Sequence, residues 1–236
     1  MEQVEVKGRE SSIVLVGEFD PLAMAPHWFV KHGMIPQEDI DETLTIELVY
    51  KEVTRFSVAN VIVEIRPDVV ILRSTQSSFD YLVHDLAVGV LTSIKSAGVT
   101  AVGLNIWQDV VIRDNKLWHQ FGDMLAPKEF WSVAVPESGR AGLVNLQMQI
   151  NKPDGDPGVY NFSVQISELA NGMRWSLNNH FDNDKYKGVD RSPYKKKAGV
   201  KSDFDPVAVV SAYWQQTIEC HGDVIASLLS QVAEGK

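Results

Sequence analysis

The residues of this chain best equipped for chemistry are a few histidines beside carboxylates and one cysteine. His180, Asp182 and Asp184 recur at every second position, and a histidine base next to two carboxylates is the equipment of a hydrolase or nuclease. Cys220-His221 has the residue types of a thiolate pair, but a nucleophile and its base must face each other, and neighbouring helix positions point about 100° apart. The same geometry separates His84 from Asp85. His27 and His32, five positions apart, lie too far around a helix for a two-histidine metal site. Asp182-Asn183-Asp184 and Asp154-Gly155-Asp156 resemble fragments of calcium loops. Counting from Asp182, however, the twelfth position is Pro193, where such a loop needs a bidentate glutamate.

No Gly-rich phosphate cradle, His-Glu-x-x-His helix, Gly-x-Ser-x-Gly elbow or Cys-x-x-Cys pair occurs. The reading therefore leans away from an enzyme and assigns no catalytic residue, no metal ligand and no cofactor.

The elements that must position these residues follow from periodicity. Phe79, Leu82, Val83, Leu86, Val90 and Ile94 lay one apolar stripe along a helix from Ser77 to Gly98, with Ser77 and Asp80 in the form of a capping box and Gly98 as the stop. A long strand, Val99 to Ile112, follows directly. Upstream lie a strand, Ser12 to Phe19, a short helix, Pro26 to His32, and alternating segments at Leu44 to Tyr50, Val61 to Ile65 and Val69 to Ser74. In the first alternating segment Leu44, Ile46, Leu48 and Tyr50 are expected on the buried side. Downstream, Asp114 caps a helix carrying Leu117, Phe121 and Leu125, and Trp131 to Val135 reads as a strand.

Three alternating runs then follow. Val144, Leu146, Met148 and Ile150 form the first apolar face, Tyr160, Phe162, Val164 and Ile166 the second, and Met173, Trp175, Leu177 and Phe181 the third. Asp154-Gly155 and Asn171-Gly172 make the turns. Asp205-Pro206 opens a last helix to about Val232, with Val210, Trp214, Ile218, Ile225, Leu228 and Leu229 on one face.

The fold class is α+β, a largely antiparallel sheet with helices on one face. Each half reads strand, helix, three or four strands, helix, so a pseudo-repeat is expected, residues 1–98 and 99–236, packed as one body.

The outward side of the three hairpin-linked strands is written in amides, Gln147, Gln149, Gln165 and Asn178, together with Arg174 and His180. Amides donate and accept hydrogen bonds without the cost of stripping water from a charge, so this face suits docking. A second candidate is the stretch from Lys185 to Lys201, with seven cations against Asp190. Its local charge of +6 within a net −9 leaves −15 for the remainder. Lys195, Lys196 and Lys197 beside Tyr194 are the place in the chain for phosphates or an acidic protein surface, and nucleic acid is expected through this loop or not at all.

A single cysteine, Cys220, excludes an internal disulfide. No apolar run reaches the roughly 18 residues of a membrane span, and the first ten residues lack a signal-peptide core. A cytoplasmic protein with no membrane association is expected.

Three stretches, Val99-Thr100-Ala101-Val102-Gly103-Leu104-Asn105, the run from Trp175 to Asp182, and the last helix with Trp214, Ile218 and His221, resemble a sporadically distributed family of uncharacterised bacterial proteins. The resemblance covers about residues 99–230 and implies no reaction, cofactor or catalytic residue. The functional expectation is a non-enzymatic interaction or assembly protein of a bacterial complex, self-associating or held by a protein partner. It would use Gln147, Gln149, Gln165, Arg174, Asn178, His180 and Lys195 to Lys197. The alternatives are a small-ligand binder with a helix-gripped cavity lined by Trp175, Phe162, Met148 and Trp214, and a hydrolase or nuclease built on His180.

Overall fold

Two long strands, β1 (Val4–Val16) and β6 (Ala101–Ile112), run antiparallel along the middle of the molecule and join everything else to one sheet. The computed structural model describes residues 4–96, 98–134, 141–152, 157–182 and 204–233. From β1 the sheet extends outward through β5 (Val69–Ser74), β4 (Val61–Arg66), β3 (Thr54–Val58) and β2 (Thr45–Val49). From β6 it extends through β9 (Gly172–Asp182), β8 (Val159–Ile166) and β7 (Asn145–Asn151). All nine strands pair antiparallel, in the order β2-β3-β4-β5-β1-β6-β9-β8-β7. The fold is α+β.

Alternation of side chains decides which face is covered. One register row crosses the sheet as Phe56, Val63, Leu72, Ile13, Leu104 and Asn179, and every member is buried. On this face lie the helices α3 (Asp80–Ser93), α4 (Asn115–Leu125) and α6 (Pro206–Ala233). Helix α3 contributes Val83, Leu86, Ala87, Val90 and Leu91, all buried; each large aliphatic side chain so placed contributes about 2 kcal/mol over an exposed one. The short helix α1 (Pro26–Lys31) sends Phe29 edge-on against Phe56, and α2 (Gln37–Thr43) packs beside β3.

The buried apolar residues form two clusters. One lies under β1, β3, β4, β5 and α3, and the other gathers Val110, Phe121, Val164, Met173, Trp175 and Ile225. Polar groups run between them. Arg9 grips Asp80 through two hydrogen bonds of 2.9 and 2.7 Å, and Ser11 adds a third at 2.5 Å. Asn179 donates to Thr217, whose hydroxyl donates to the Tyr213 carbonyl, and His221 meets the Trp175 carbonyl at 3.1 Å.

Several expectations need correcting. The capping box of Ser77 and Asp80 does not form: Ser77–Phe79 is a 3₁₀ turn, Phe79 holds the cap position without a side-chain bond, and the Asp80 carboxylate is taken by Arg9 and Ser11. The helix stops at Ser93, because Lys95 and Ser96 adopt positive φ before Gly98 is reached. The segment read as a strand from Trp131 is helical, α5 (Glu129–Ala134), and its last residue, Val135, lies outside the described residues. Ile46, Leu48 and Tyr50 are exposed rather than buried, and so are Met148 and Ile150. The reason is position. Strands β2 and β7 are the two borders of the sheet, and α3 and α6 pack mainly on β1, β5, β6 and β9. The Asp154-Gly155 turn lies outside the described residues.

The side chains expected to line one cavity do not share one. Trp214 belongs to the first cluster, Trp175 to the second, and Met148 is 52% exposed at the border. The two tryptophans are packed as core.

Candidate functional site: the amide face of the sheet

Among the described residues no helix packs on the other face, which divides along β1. On the β2 to β5 side it carries charge: Arg55 reaches Glu47 at 2.9 Å and Glu64 at 3.7 Å, Arg66 pairs with Glu64, and Arg73 lies 3.7 Å from Glu10. On the β6 to β7 side it carries amides. The register places Ser12, Asn105, Asn178, Asn161 and Gln149 in one line across β1, β6, β9, β8 and β7.

These amides are joined head to tail. Gln149 Nε2 donates to Asn161 Oδ1 at 2.9 Å, Asn161 Nδ2 to Asn178 Oδ1 at 3.1 Å, and Asn178 Nδ2 to Asn105 Oδ1 at 2.6 Å. Asn105 Nδ2 ends the row on the carbonyls of Gly103 and Ser12, at 3.2 and 3.4 Å. All donations run in one direction, so the amide dipoles add and each bond polarises the next. Asn161 and Asn178 each use one hydrogen and one acceptor site within the row, and an amide has two of each. The remainder faces outward, held at fixed spacing by the strands. Gly103 makes room for the row: a Cβ there would come 3.0 Å from Asn178 Nδ2.

Beside this row runs a second, Trp107, Ser176, Ser163 and Gln147. The small serines leave a groove of about 470 Å³ between Trp107 at one end and Gln147 at the other, and among the described residues no charged side chain lines it. Trp107 is held from one side by the Arg174 guanidinium, 4.1 Å from its ring centroid. Arg174 is fixed in turn by two bonds to Asp109, at 2.9 and 2.7 Å. Those bonds push the Arg174 pKa above its ordinary value, so the stack is permanently cationic.

The residues proposed from sequence meet on this face. Gln149 and Asn178 are members of the amide row, Gln147 closes the groove, and Gln165 lies opposite Arg174. His180 sits one step along β9 on the same face, its Nε2 3.2 Å from Asp182 Oδ2. The third member of the proposed hydrolytic set, Asp184, and the cationic Lys195, Lys196 and Lys197 lie outside the described residues. Among the described residues no three of His, Cys, Asp and Glu gather where a metal ion could be held.

Sequence reasoning missed Asn105, Trp107 and Asp109 on β6 and Asn161 on β8 as site residues. The signal existed, since Gly103, Asn105, Trp107 and Asp109 alternate with the buried Val102, Leu104 and Ile106.

Cys220 and His221 turn to different partners, Tyr160 and the Trp175 carbonyl. His84 and Asp85, expected to be kept apart by the same adjacency, instead meet on the surface of α3 with Nδ1 2.8 Å from Oδ1. Cys220 is half-buried and its thiol pKa is pushed up by burial, which opposes a nucleophilic role. His221 is buried against β9. No helix among the described residues is long and apolar enough to cross a membrane. No protein-family model matches the chain, and no curated protein matches it in sequence.

Proposed function

We propose that this protein works by binding and not by catalysis, as an assembly component of the bacterial cytoplasm that docks a partner protein across the amide face of β6, β9, β8 and β7. The observation that carries the reading is the row from Gln149 to Asn105. Its amides are already ordered by one another, so docking on the row costs little further side-chain entropy and desolvates no charge within the row itself. Trp107 and Arg174 next to that row are the residue types that anchor protein interfaces. The test is affinity capture with the wild type and an Asn161→Lys variant of matched thermal stability. A protein retained by the wild type and lost by the variant is the expected result. Capture that is equal in both, or absent from both, removes the reading.

The uncharged groove supports a second reading, a small neutral ligand bearing hydroxyl or amide groups, seated over Ser163 and Ser176 with Trp107 at its end. A thermal-shift panel of neutral saccharides and amides tests it, and a flat response across the panel eliminates it.

A further inference from the structure

On helix α4, Trp118 and Gly122 stand four residues apart and so share one face. A side chain at position 122 would lean toward the start of the helix, over the indole. Glycine leaves that space open. Its φ is helical, and a Cβ there would meet nothing within 4 Å. Neither the backbone conformation nor a close approach calls for glycine at this position, where it weakens a helix relative to alanine.

The open space belongs to a pocket of about 440 Å³ between α4, the stretch 141–143 and the ends of β8 and β9, a size that suits a small ligand. Its floor is apolar: Leu143, with Ile166 and Met173, which are partners across the β8–β9 pair. Trp118 is one wall, and the His119 ring meets it edge-on, 4.8 Å between centroids. The charged groups of the lining, Asp123 and Lys128, pair with each other. One polar group is left over. The Nε1 of Trp118 is buried and has no hydrogen-bond partner among the described residues. A buried N–H without an acceptor is rare in folded chains because it has given up water for nothing.

We propose that this pocket binds an uncharged, planar aromatic compound whose carbonyl oxygen accepts from Trp118 Nε1. The ring system lies against the indole and over Leu143, Ile166 and Met173, so apolar surface on both sides leaves water. The carbonyl supplies the acceptor that the indole lacks. An ionic ligand is disfavoured, because Asp123 and Lys128 already neutralise each other and an ion would lose its water without gaining a partner. Met173 and Ile166 are on the helix side of the sheet, opposite the amide row, so this site is independent of what docks on the amide face.

The experiment uses the full chain with methyl naphthyl ketone as the probe and ethylnaphthalene, of the same shape without the oxygen, as its control. The six tryptophan indole N–H resonances are followed in an isotope-labelled sample, that of Trp118 being assigned by its loss in Trp118→Phe. The ketone should shift the Trp118 resonance to saturation and, by equilibrium dialysis, bind about tenfold more tightly than ethylnaphthalene. In Trp118→Phe this preference should vanish, because the N–H is gone while an aromatic wall remains. Gly122→Leu fills the space over the indole with a better helix former and should abolish binding of both compounds. Absence of ketone binding, equal affinity of the wild type for the two compounds, a preference that survives in Trp118→Phe, undiminished binding in Gly122→Leu, or a response at the Trp107 indole in place of Trp118 would each overturn the proposal.

Discussion

The indole Nε1 of Trp214 donates to the main-chain oxygen of Asp80 at 3.0 Å, linking the last helix to the first turn of α3 across 134 positions of sequence. The carboxylate of the same Asp80 is held by Arg9 and Ser11 of β1. One residue therefore ties a strand and two helices together. It does so between the two apolar clusters, where packing alone gives no register.

Asp80→Ala should destabilise the protein by about 3 kcal/mol, because it strands the Arg9 guanidinium in a site where its side chain is only 12% exposed. Urea denaturation measures this. A loss under about 1 kcal/mol would mean that Arg9 finds water or another partner.

The amide row is expected to behave as a unit. Asn161→Ala and Asn178→Ala should each cost about 1 kcal/mol, and the double variant less than their sum, with a coupling of about 0.5 kcal/mol or more. Strict additivity in the double-mutant cycle would show that the amides act separately.

Gly158 has φ of +79°, and a Cβ there would lie 2.5 Å from the His180 carbonyl oxygen and 2.8 Å from the Phe181 ring. Gly158→Ala should cost about 2 kcal/mol or more, since neither the backbone oxygen nor a fully buried ring can give way. Thermal melting decides the matter, and an unchanged midpoint would contradict the packing described.

His221 should make stability depend on pH. Burial lowers its pKa from 6.5, and the positive charge of Arg9 acts in the same direction, while the hydrogen bond to Trp175 opposes both. The folded protein thus takes up this proton only at lower pH than the unfolded chain. The stabilisation is complete above about 6.5 and declines as pH falls from there toward the folded-state pKa. Denaturant midpoints across this range should fall more steeply for the wild type than for His221→Gln. Parallel curves would assign the dependence to other groups.

Much of this architecture was legible in the residues. The caps at Asp114 and Asp205 form as read, with Leu117 N donating to Asp114 and Val207 N to Asp205. The Asn171-Gly172 turn, with Asn171 at φ of 54°, and the three alternating strands are also in place. Alternation alone does not say whether an apolar face is covered, and this is why Ile46 and Met148 were misplaced: burial depends on where a strand lies in the sheet. Strand β3 escaped notice because one of its three inward positions is a threonine, Thr54, which satisfies itself on the Pro21 carbonyl at 2.6 Å. The candidate site was half visible. Its amides on β7 and β9 and Gln165 on β8 were read, but Asn105 and Trp107 were passed over because Val99 to Ile112 reads as one apolar strand when its alternation is not followed.

The placement of β1 between β5 and β6 has a consequence for synthesis. By the time Ser74 has left the ribosome, β1 and the four strands on its first side are all available, yet its second neighbour does not begin until Ala101. A nascent chain paused in that interval carries a long hydrogen-bonding border that the mature protein conceals, and β6 is the segment whose arrival closes it. Translation speed just downstream of α3 thus sets how long the growing polypeptide is open to association with the wrong strand.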